Sequence, residues 1–267
     1  MFRFLPTAEN YEHPNEPVFS GTYATTPPAY NGRLKVVSYN INFGLTFAEA
    51  SAEISAFNVL SDVDILLLQE MDESGTEAMA QMLGMNYVYY PASVHNQHGR
   101  NFGNAILTRW PLYQPQKIIL PHKSWYNQQI RIAVRGRVRL PDRDLLVYCA
   151  HTEVYTAPLQ FRRAQVQAIV DNVRQQDHAH IIVGGDFNTV TRRGIRRMER
   201  QFATAAMERA SKGSGSTISK FGPTAIAADH LFVRGGVVLA RGTVTEASAS
   251  DHYPIWAQIS LGEDESF

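Results

Sequence analysis

The chain has 267 residues, of which 44% are hydrophobic and 19% are charged, an ordinary composition for a globular protein with a large core. Its 25 Lys and Arg residues balance its 25 Asp and Glu residues, which excludes a global electrostatic field that would attract polyanions. The single cysteine, Cys149, excludes an internal disulfide and a cysteine-rich zinc site.

No stretch of the sequence approaches the roughly 20 consecutive apolar residues that cross a bilayer. The first ten residues hold only a short apolar patch, interrupted by Pro6, and match a signal peptide poorly. We therefore expect a cytoplasmic protein, although a secreted protein without its leader would show the same features. The sequence leaves the oligomeric state open.

The first 32 residues predict an extended, irregular N-terminal arm, because prolines recur among polar and aromatic residues. One domain is expected at 33–262, followed by an acidic tail at 263–267. From residue 34 onward, short apolar runs recur along the chain, and each predicts a strand. These runs span residues 34–39, 64–69, 86–90, 104–108, 144–150, 180–185, 229–234 and 254–260.

Residues 130–140 nearly alternate apolar side chains with arginine, which predicts a half-buried strand with one basic face. Helices are predicted at 46–60 and at 158–176, where Pro158 precedes a run of good helix formers. Residues 211–220 are rich in Gly and Ser and predict a mobile loop. The mixture favours an α+β or a layered α/β fold, and periodicity alone does not decide the strand order.

Polar side chains that suit metal and acid–base chemistry stand at the ends of six strand-like runs. Taken singly, each is typical of a turn or a helix cap. Taken together, they predict a cluster of oxygen ligands beside imidazoles, which suits Mg²⁺ or Mn²⁺ better than a structural zinc ion. The residues are Asn40 and Asn42, Gln69 and Glu70, His151 and Glu153, Asp186 and Asn188, Asp229 and His230, and Asp251 and His252.

Seven motifs, in this order, resemble those of the endonuclease/exonuclease/phosphatase superfamily of Mg²⁺-dependent phosphoesterases. They are "SYNI", "LLLQE", "FGNAILTRWPL", "AHTE", "GGDFNT", "DHLFV" and "SDHYPI", and the resemblance covers about residues 34–261. It implies an α+β fold built as a four-layered α/β-β/α sandwich, with two mostly antiparallel β-sheets packed face to face and helices outside. It also implies a hydrolase of phosphoric esters.

The resemblance implies roles for the metal ligands. Glu70 corresponds to the principal ligand of Mg²⁺ or Mn²⁺, helped by Asn40 and by Asp251. These three residues lie in the first, second and last of the quoted motifs.

The resemblance also implies catalytic roles. Asp186 matches the residue that orients or deprotonates the attacking water, and Asn188 the residue that holds a phosphate oxygen. His252 matches the histidine that contacts the scissile phosphate. His151 is a candidate acid for the leaving oxygen or a stabiliser of the transition state, and Asp229 matches the carboxylate that orients His151.

The substrate is expected to be a phosphoester, with nucleic acid as one candidate partner. Arg192 and Arg196, at helical spacing, predict a basic strip beside the site, and solvent exposure is the alternative reading. Arg131, at the start of the Arg-bearing strand, and Asn104 are the other expected substrate contacts.

A nuclease or nucleotide phosphodiesterase is the first hypothesis. A lipid-headgroup phosphodiesterase or phosphoinositide phosphatase is the second, because the loop "SWYNQQ" at 124–129 offers aromatic side chains to a membrane interface or to a base. A catalytically silent binding module with the same fold is the third. The aromatic and imidazole side chains at 86–104 predict a further loop on the substrate side.

Overall fold

The computed structural model describes residues 7–219 and 226–262. Four α-helices lie within these residues: α1 (Phe47–Ala56), α2 (Glu73–Leu83), α3 (Leu159–Arg174) and α4 (Arg192–Ala203). In chain order, the described strands are β1 (Glu9–Asn10), β2 (Phe19–Gly21), β3 (Arg33–Asn40), β4 (Ile65–Met71), β5 (Asn86–Val94), β6 (Asn101–Thr108), β7 (Leu112–Ile119), β8 (Ile132–Arg139), β9 (Asp144–His151), β10 (Ile181–Asp186), β11 (Glu208–Arg209), β12 (Asp229–Arg234), β13 (Gly236–Thr243) and β14 (Ile255–Leu261).

The strands form two sheets. The first sheet has the order β1-β5-β6-β4-β3-β14-β13, and β2 also pairs with β5. The second sheet has the order β11-β12-β10-β9-β8-β7. Each sheet contains one parallel pair, β3 with β4 and β9 with β10, and its other pairs are antiparallel.

Three apolar clusters define four layers. The largest joins the inner faces of the two sheets, with Leu67 from the first sheet and Val147 from the second. Another packs α1 and α2 on the outer face of the first sheet, and the third packs α3 and α4 on the outer face of the second sheet. The expected α+β sandwich with helices outside is confirmed. Each sheet has two covered faces, which accounts for the continuous apolar runs of its central strands.

The two parallel pairs determine where the polar strand ends meet. The carboxyl ends of β3 and β4 lie together, as do those of β9 and β10, because parallel strands run in the same direction. β12 and β14 are antiparallel to their neighbours β10 and β3, so their amino ends lie at the same edge. The six strand ends identified from the sequence therefore converge on one rim of the sandwich.

The N-terminal arm is extended, as predicted, but its described part also belongs to the first sheet. Its strands β1 and β2 both pair antiparallel with β5. The buried Lys117 ammonium donates to the backbone oxygens of Tyr11 at 2.8 Å and Glu16 at 2.7 Å, which ties the arm to β7. A domain boundary at residue 32 remains a prediction, and residues 1–6 and 263–267 lie outside the described residues.

Several local predictions differ from the structure. The helix predicted at 46–60 ends at Ala56, because Phe57 adopts an extended conformation with ψ 117°. The strand pattern overlooked β7 and β13, and the periodicity search overlooked α2. The capping signals of α2 are present in the sequence: the Asp72 side chain accepts from Gly75 N, and Gly84 ends the helix with φ 61°.

The loop predicted at 211–220 is only partly solvent-exposed in its described residues, 211–219. The buried Thr217 hydroxyl accepts from the backbone N–H groups of Ala228 at 2.9 Å and Asp229 at 3.2 Å. Ser211 Oγ accepts from Leu231 N at 3.0 Å. This segment therefore anchors the start of β12, and with it the Asp229 carboxylate.

The double glycine in "GGDFN" has a steric cause. A Cβ on Gly184 would lie 2.5 Å from the side chains of both Leu231 and Leu67, between the two sheets. A Cβ on Gly185, whose φ is +145°, would overlap the backbone carbonyl of Ala150 on β9. Close pairing of β10 with β9 therefore requires glycine immediately before Asp186.

Gly185→Ala should lower the free energy of unfolding by about 2–4 kcal/mol, because it adds overlap with Ala150 to the strain of a positive φ. Gly213→Ala is the matched control: φ is +85° and nothing lies within 4 Å of the added Cβ, so only backbone strain of about 1–2 kcal/mol is expected. Urea unfolding monitored by circular dichroism measures both values. Equal losses in the two variants would contradict the steric explanation.

Candidate active site

Asp186 Oδ2 is the point around which the polar strand ends gather. Its neighbours are Asn40 Nδ2 and Asn188 Nδ2, both at 3.2 Å, His151 Nε2 at 3.6 Å and His252 Nε2 at 3.9 Å. The strand register explains the contacts, since Asp186 lies opposite His151 on β9 and opposite Asp229 on β12. Residues far apart in the chain thus share one carboxylate.

The other oxygen of this carboxylate is also held. Asp186 Oδ1 accepts from the backbone N–H of Asn188 at 2.8 Å. Asn188 adopts φ 47°, an uncommon conformation outside glycine, which turns the chain back toward Asp186 immediately after the strand. Burial, followed by the charge of Asp229, raises the pKa of Asp186 to about 7.

His252 forms a hydrogen-bonded pair with Asp229. The distance from His252 Nδ1 to Asp229 Oδ2 is 2.8 Å, and both side chains are buried. Burial alone would lower the pKa of His252, but the Asp229 and Asp186 carboxylates outweigh it and raise the pKa to about 10. The prediction that Asp229 orients His151 is therefore corrected: Asp229 bonds His252, because β12 and the segment before β14 meet here.

His151 has a different environment. Both of its ring nitrogens face Arg131 NH1, at 3.5 Å for Nδ1 and 3.4 Å for Nε2. Burial, then the charges of Arg131 and His252, lowers the pKa of His151 well below its usual range. The two histidines of the site thus differ in charge at neutral pH: His252 is an imidazolium and His151 is a neutral imidazole.

Arg131 is itself buried, and Glu153 faces its guanidinium from the β9 side. Arg131 NH2 lies 3.6 Å from Glu153 Oε1, and the guanidinium carbon lies 5.7 Å from the centre of the Phe102 ring. These contacts hold the cation beside His151. Arg131 was expected to contact substrate, and the structure places it in the site.

Glu70 faces the same space from β4. Its Oε1 accepts from Asn40 Nδ2 at 3.1 Å and lies 3.9 Å from His151 Nε2. Its Oε2 accepts from the backbone N–H of Phe43 at 3.2 Å. Glu70 and Phe43 both have positive φ, 61° and 65°, and such strain is often found at functional sites.

The donor set fits a hard divalent cation. Glu70 and Asp186 are linked through Asn40 Nδ2, and burial raises the pKa of both carboxyl groups, as expected when buried carboxylates lack full charge compensation. Asp229 Oδ1 is buried without a hydrogen-bond partner among the described residues. Atoms of Asp186, Asp229 and His252 also lie within 4.8 Å of one another, and of these the two carboxylates are the available ligands, because His252 is an imidazolium. Carboxylate oxygens of this kind suit Mg²⁺ or Mn²⁺.

Asn40 and Asn188 direct their amide nitrogens toward carboxylates. Asn40 Oδ1 accepts from Asn42 N at 3.1 Å, which leaves its Nδ2 facing Glu70 and Asp186. Asn188 Nδ2 donates to Thr152 O and to Asp186 Oδ2, both at 3.2 Å. In this arrangement both asparagines position the carboxylates, and their expected roles toward metal and phosphate remain predictions.

Asp251 lies at the border of the site. It is partly exposed, and its Oδ1 is 3.5 Å from Ser250 Oγ, which also donates to the backbone oxygen of Asn40 at 2.7 Å. Its charge contributes to the raised pKa of Glu70. A ligand role for Asp251 remains a prediction.

Three of the expected substrate contacts make no hydrogen bond or ion pair with Asp186, Glu70, His151 or His252, and their roles toward substrate remain predictions. Asn104 is buried between the sheets and donates to the backbone oxygen of Ile132 at 2.9 Å, so it ties the first sheet to the second. Arg192 and Arg196 are exposed on α4, which packs on the outer face of the second sheet. The basic face predicted for residues 130–140 is also divided. Arg131 is buried in the site, whereas Arg135 bonds Asn172 of α3 at 3.4 Å.

Two residues of the site had no predicted role. The sequence places Glu153 among the polar strand ends, two residues after His151, but gives it no individual role. Phe43 had no signal, because its contribution is a backbone N–H that an unusual conformation directs at Glu70.

Among the described residues, none of the helices combines the length and apolar character required to span a bilayer.

Similarity to a known family extends over most of the chain. A model described as the Endonuclease/Exonuclease/phosphatase family matches residues 37–252. No curated protein sequence matches the chain.

Three solved structures share the fold at low sequence identity. An endonuclease/exonuclease/phosphatase from Beutenbergia cavernae has a TM-score of 0.69 at 16% identity, over 86% of this chain and 72% of that one. The mannosyl-6-phosphatase Bt3783 of Bacteroides thetaiotaomicron has a TM-score of 0.66 at 20% identity, over 85% and 99%. TDP2 of D. rerio, complexed with a single-strand DNA product, has a TM-score of 0.68 at 15% identity, over 86% and 99%.

Titration calorimetry should detect binding of Mn²⁺ or Mg²⁺ to the purified protein. Glu70→Gln should weaken this binding by more than about tenfold, since it removes one of the carboxylates of the donor set. Glu49→Gln, on the exposed surface of α1, is the matched control and should bind the ion as the parent protein does. Unchanged binding in folded Glu70→Gln protein would rule out Glu70 as a ligand.

Proposed function

The chain belongs to the endonuclease/exonuclease/phosphatase family of phosphoesterases, and we propose that it hydrolyses a phosphodiester of a nucleotide or nucleic acid by in-line attack of water. One observation supports this most directly. A single oxygen, Asp186 Oδ2, has the Nε2 atoms of His151 and His252 within 3.9 Å, with Glu70 joined to it through Asn40. A proton acceptor, a charged donor and a metal-binding carboxylate thus surround one small space.

Asp186 is the proposed acceptor of the proton from water. Two amide side chains and one backbone N–H fix the orientation of its carboxylate. Fixed orientation matters because proton transfer requires the base within hydrogen-bond reach of water in the reacting geometry. The raised pKa of Asp186, caused first by burial, makes it a stronger base than an exposed carboxylate.

His252 and Arg131 are the proposed donors to the phosphate oxygens. Asp229 holds Nδ1 of His252, which leaves Nε2 directed toward Asp186 and the space beside it. Arg131 presents a guanidinium from the opposite side, next to His151. Donors fixed in advance stabilise the charge that develops in the transition state without reorganisation.

His151 is proposed to stabilise the transition state rather than to serve as the acid. Its imidazole is neutral because it is buried against Arg131, and a neutral imidazole still donates one hydrogen bond. The sequence predicted that His151 is either the acid for the leaving oxygen or a stabiliser of the transition state, and its environment favours the second role.

Glu70, with help from Asn40 and Asp251, is proposed to hold Mg²⁺ or Mn²⁺. When bound, such a cation offsets the negative charge of the phosphoester and lowers the pKa of coordinated water. The backbone N–H of Phe43 and the amide of Asn40 would keep the Glu70 carboxylate directed toward that position.

A nucleotide or nucleic acid is the first choice of substrate. The D. rerio TDP2 structure shares the fold and contains single-strand DNA, and the buried Arg131 provides a fixed phosphate contact. A lipid headgroup is the second choice. The indole of Trp125 is 60% exposed beside Tyr126, which lines a cavity at the site, and such a side chain suits insertion into a membrane interface.

Asp186→Asn and His252→Gln should each reduce kcat for bis(p-nitrophenyl) phosphate with Mn²⁺ by about 10²- to 10⁴-fold. Both changes nearly preserve side-chain volume, but His252→Gln leaves the buried Asp229 without its cationic partner, so circular dichroism must confirm that each variant is folded at the assay temperature. Asp177→Asn, an exposed residue at the opposite end of β10, is the matched control and should retain activity. Activity that survives both site changes would refute these roles, and a parent protein that neither binds Mn²⁺ nor turns over would support the silent module.

Salt and vesicle assays should separate the two substrate classes. A nucleic-acid substrate predicts binding that weakens as salt rises and strengthens with polynucleotide length, because phosphate contacts release counterions. A lipid substrate predicts hydrolysis confined to esters presented on vesicles. Hydrolysis of vesicle-borne substrate alone would overturn the nucleotide assignment.

A further inference from the structure

A cavity of about 200 Å³ opens beside Glu70 and Arg131, which both contribute to its wall. The segment after β5 and the segment before β8 supply much of the remaining wall, and Phe43, Phe102 and Val154 complete it. The residues that line it include Phe43, His95, Gln97, Tyr126, Asn127 and Gln129. The cavity adjoins the proposed scissile phosphate, so it is the space next to the group that the phosphate esterifies.

Its far wall carries no fixed charge. The lining residues other than Glu70 and Arg131 are aromatic, carboxamide, aliphatic or histidine side chains. Burial, then the charges of His98 and Arg131, lowers the pKa of His95 to about 4, so its ring is neutral at pH 7. Arg100, which follows this loop, does not line the cavity: it pairs with Asp72 at 2.7 Å and donates to the backbone oxygen of Phe43 at 3.1 Å. A second phosphate in the cavity would lack a cationic partner, and burying it there would be costly.

One side of the cavity is aromatic and is linked to Glu70, the proposed metal-binding carboxylate. The Phe43 ring centre lies 4.6 Å from that of His95 and 4.9 Å from that of His98. The backbone N–H of the same phenylalanine bonds Glu70 Oε2 at 3.2 Å. The position of the aromatic wall is therefore coupled to the position of the metal-binding carboxylate.

The other side is a chain of preorganised amides. Gln129 Nε2 donates to Ser93 Oγ at 2.8 Å, and its backbone N–H donates to Asn127 Oδ1 at 3.1 Å. Asn127 Nδ2 lies 3.4 Å from Gln129 Oε1. Amides held in this way are suited to hydroxyl groups, which both donate and accept hydrogen bonds.

The volume of the cavity limits the size of the group that it can bind. Pockets for drug-sized ligands enclose roughly 300–1,000 Å³, so a cavity of about 200 Å³ suits one ring with its substituents. An aromatic wall facing an amide wall suits a ring with an apolar face and a polar edge, as a sugar has.

From these observations we infer that the cavity binds a single uncharged sugar ring esterified to the scissile phosphate, and that it selects against rings bearing further phosphates. The inference rests on the proposed function, since it names the group next to the bond that the site cleaves. In a nucleic acid it restricts cleavage to a terminal nucleotide, because the sugar of an internal nucleotide carries a second phosphate. The sugar of a nucleotide and a free sugar phosphate share this chemistry.

Inhibition constants in the hydrolysis of bis(p-nitrophenyl) phosphate test the inference, whichever ester the enzyme cleaves naturally. Ribose 5-phosphate, a hexose 6-phosphate and thymidine 5′-monophosphate should inhibit with constants at least about tenfold lower than those of glycerol 2-phosphate and inositol 1,4,5-trisphosphate. A lower constant for thymidine 5′-monophosphate than for ribose 5-phosphate would identify the nucleotide as the source of the sugar, and the reverse order would identify a free sugar phosphate.

Two cavity variants and one control sharpen the test. Tyr126→Ala and Gln97→Ala change partly or fully exposed side chains, so folding should be preserved. Both should raise the inhibition constants of the ring esters and leave that of glycerol 2-phosphate unchanged. Gln128→Ala, on the same loop as Tyr126 but pointing outside the cavity wall, should leave every constant unchanged.

Equal or tighter inhibition by inositol trisphosphate or glycerol 2-phosphate would overturn the inference while leaving the proposed hydrolysis intact. The same conclusion would follow if the cavity variants weakened all inhibitors alike. A parent protein without turnover would instead reject the proposed function. Calorimetric titration of that protein with ribose 5-phosphate and inositol trisphosphate would still rank the two ligands and decide the sugar assignment.

Discussion

Burial of the Asp186 carboxylate is the constraint around which the rest of the site is arranged. A buried carboxylate is costly unless hydrogen bonds or opposite charges compensate it. Asn40, Asn188 and His252 supply that compensation, and each comes from a different part of the chain. The pairing of β10 with β9 and β12 determines which side chains can reach it.

Burial and neighbouring charges also give the two histidines opposite charge states in one small space. His252 faces two carboxylates and is held as an imidazolium, whereas His151 faces the Arg131 guanidinium and remains neutral. Neighbouring charges therefore assign roles to chemically identical side chains. Glu153 contributes indirectly. Its Oε1 lies 3.6 Å from Arg131 NH2, and this contact holds the guanidinium in position beside His151.

Backbone strain is concentrated where the site requires a particular direction. Glu70, Phe43 and Asn188 all have positive φ. In two of these residues the consequence is visible, because the Phe43 N–H points at Glu70 and the Asn188 N–H points at Asp186. Such conformations cost about 1–3 kcal/mol each and persist only where surrounding contacts impose them. The layered core, with both faces of each sheet covered, provides those contacts.

The sequence by itself determined the apolar strands, two helices, and the identity of most polar groups in the site, since strand-end residues such as Glu70 and Asp186 follow readable apolar runs. It also carried the motifs by which the family resemblance was recognised. It did not show the pairing of Asp229 with His252, the exposure of Arg192 and Arg196 on α4, or the cavity beside Glu70 and Arg131. Those depend on which strands become neighbours and on where unusual φ values turn the chain. Contacts between residues distant in the chain, such as Asp229 and His252 at 23 positions apart, leave no local pattern in the sequence.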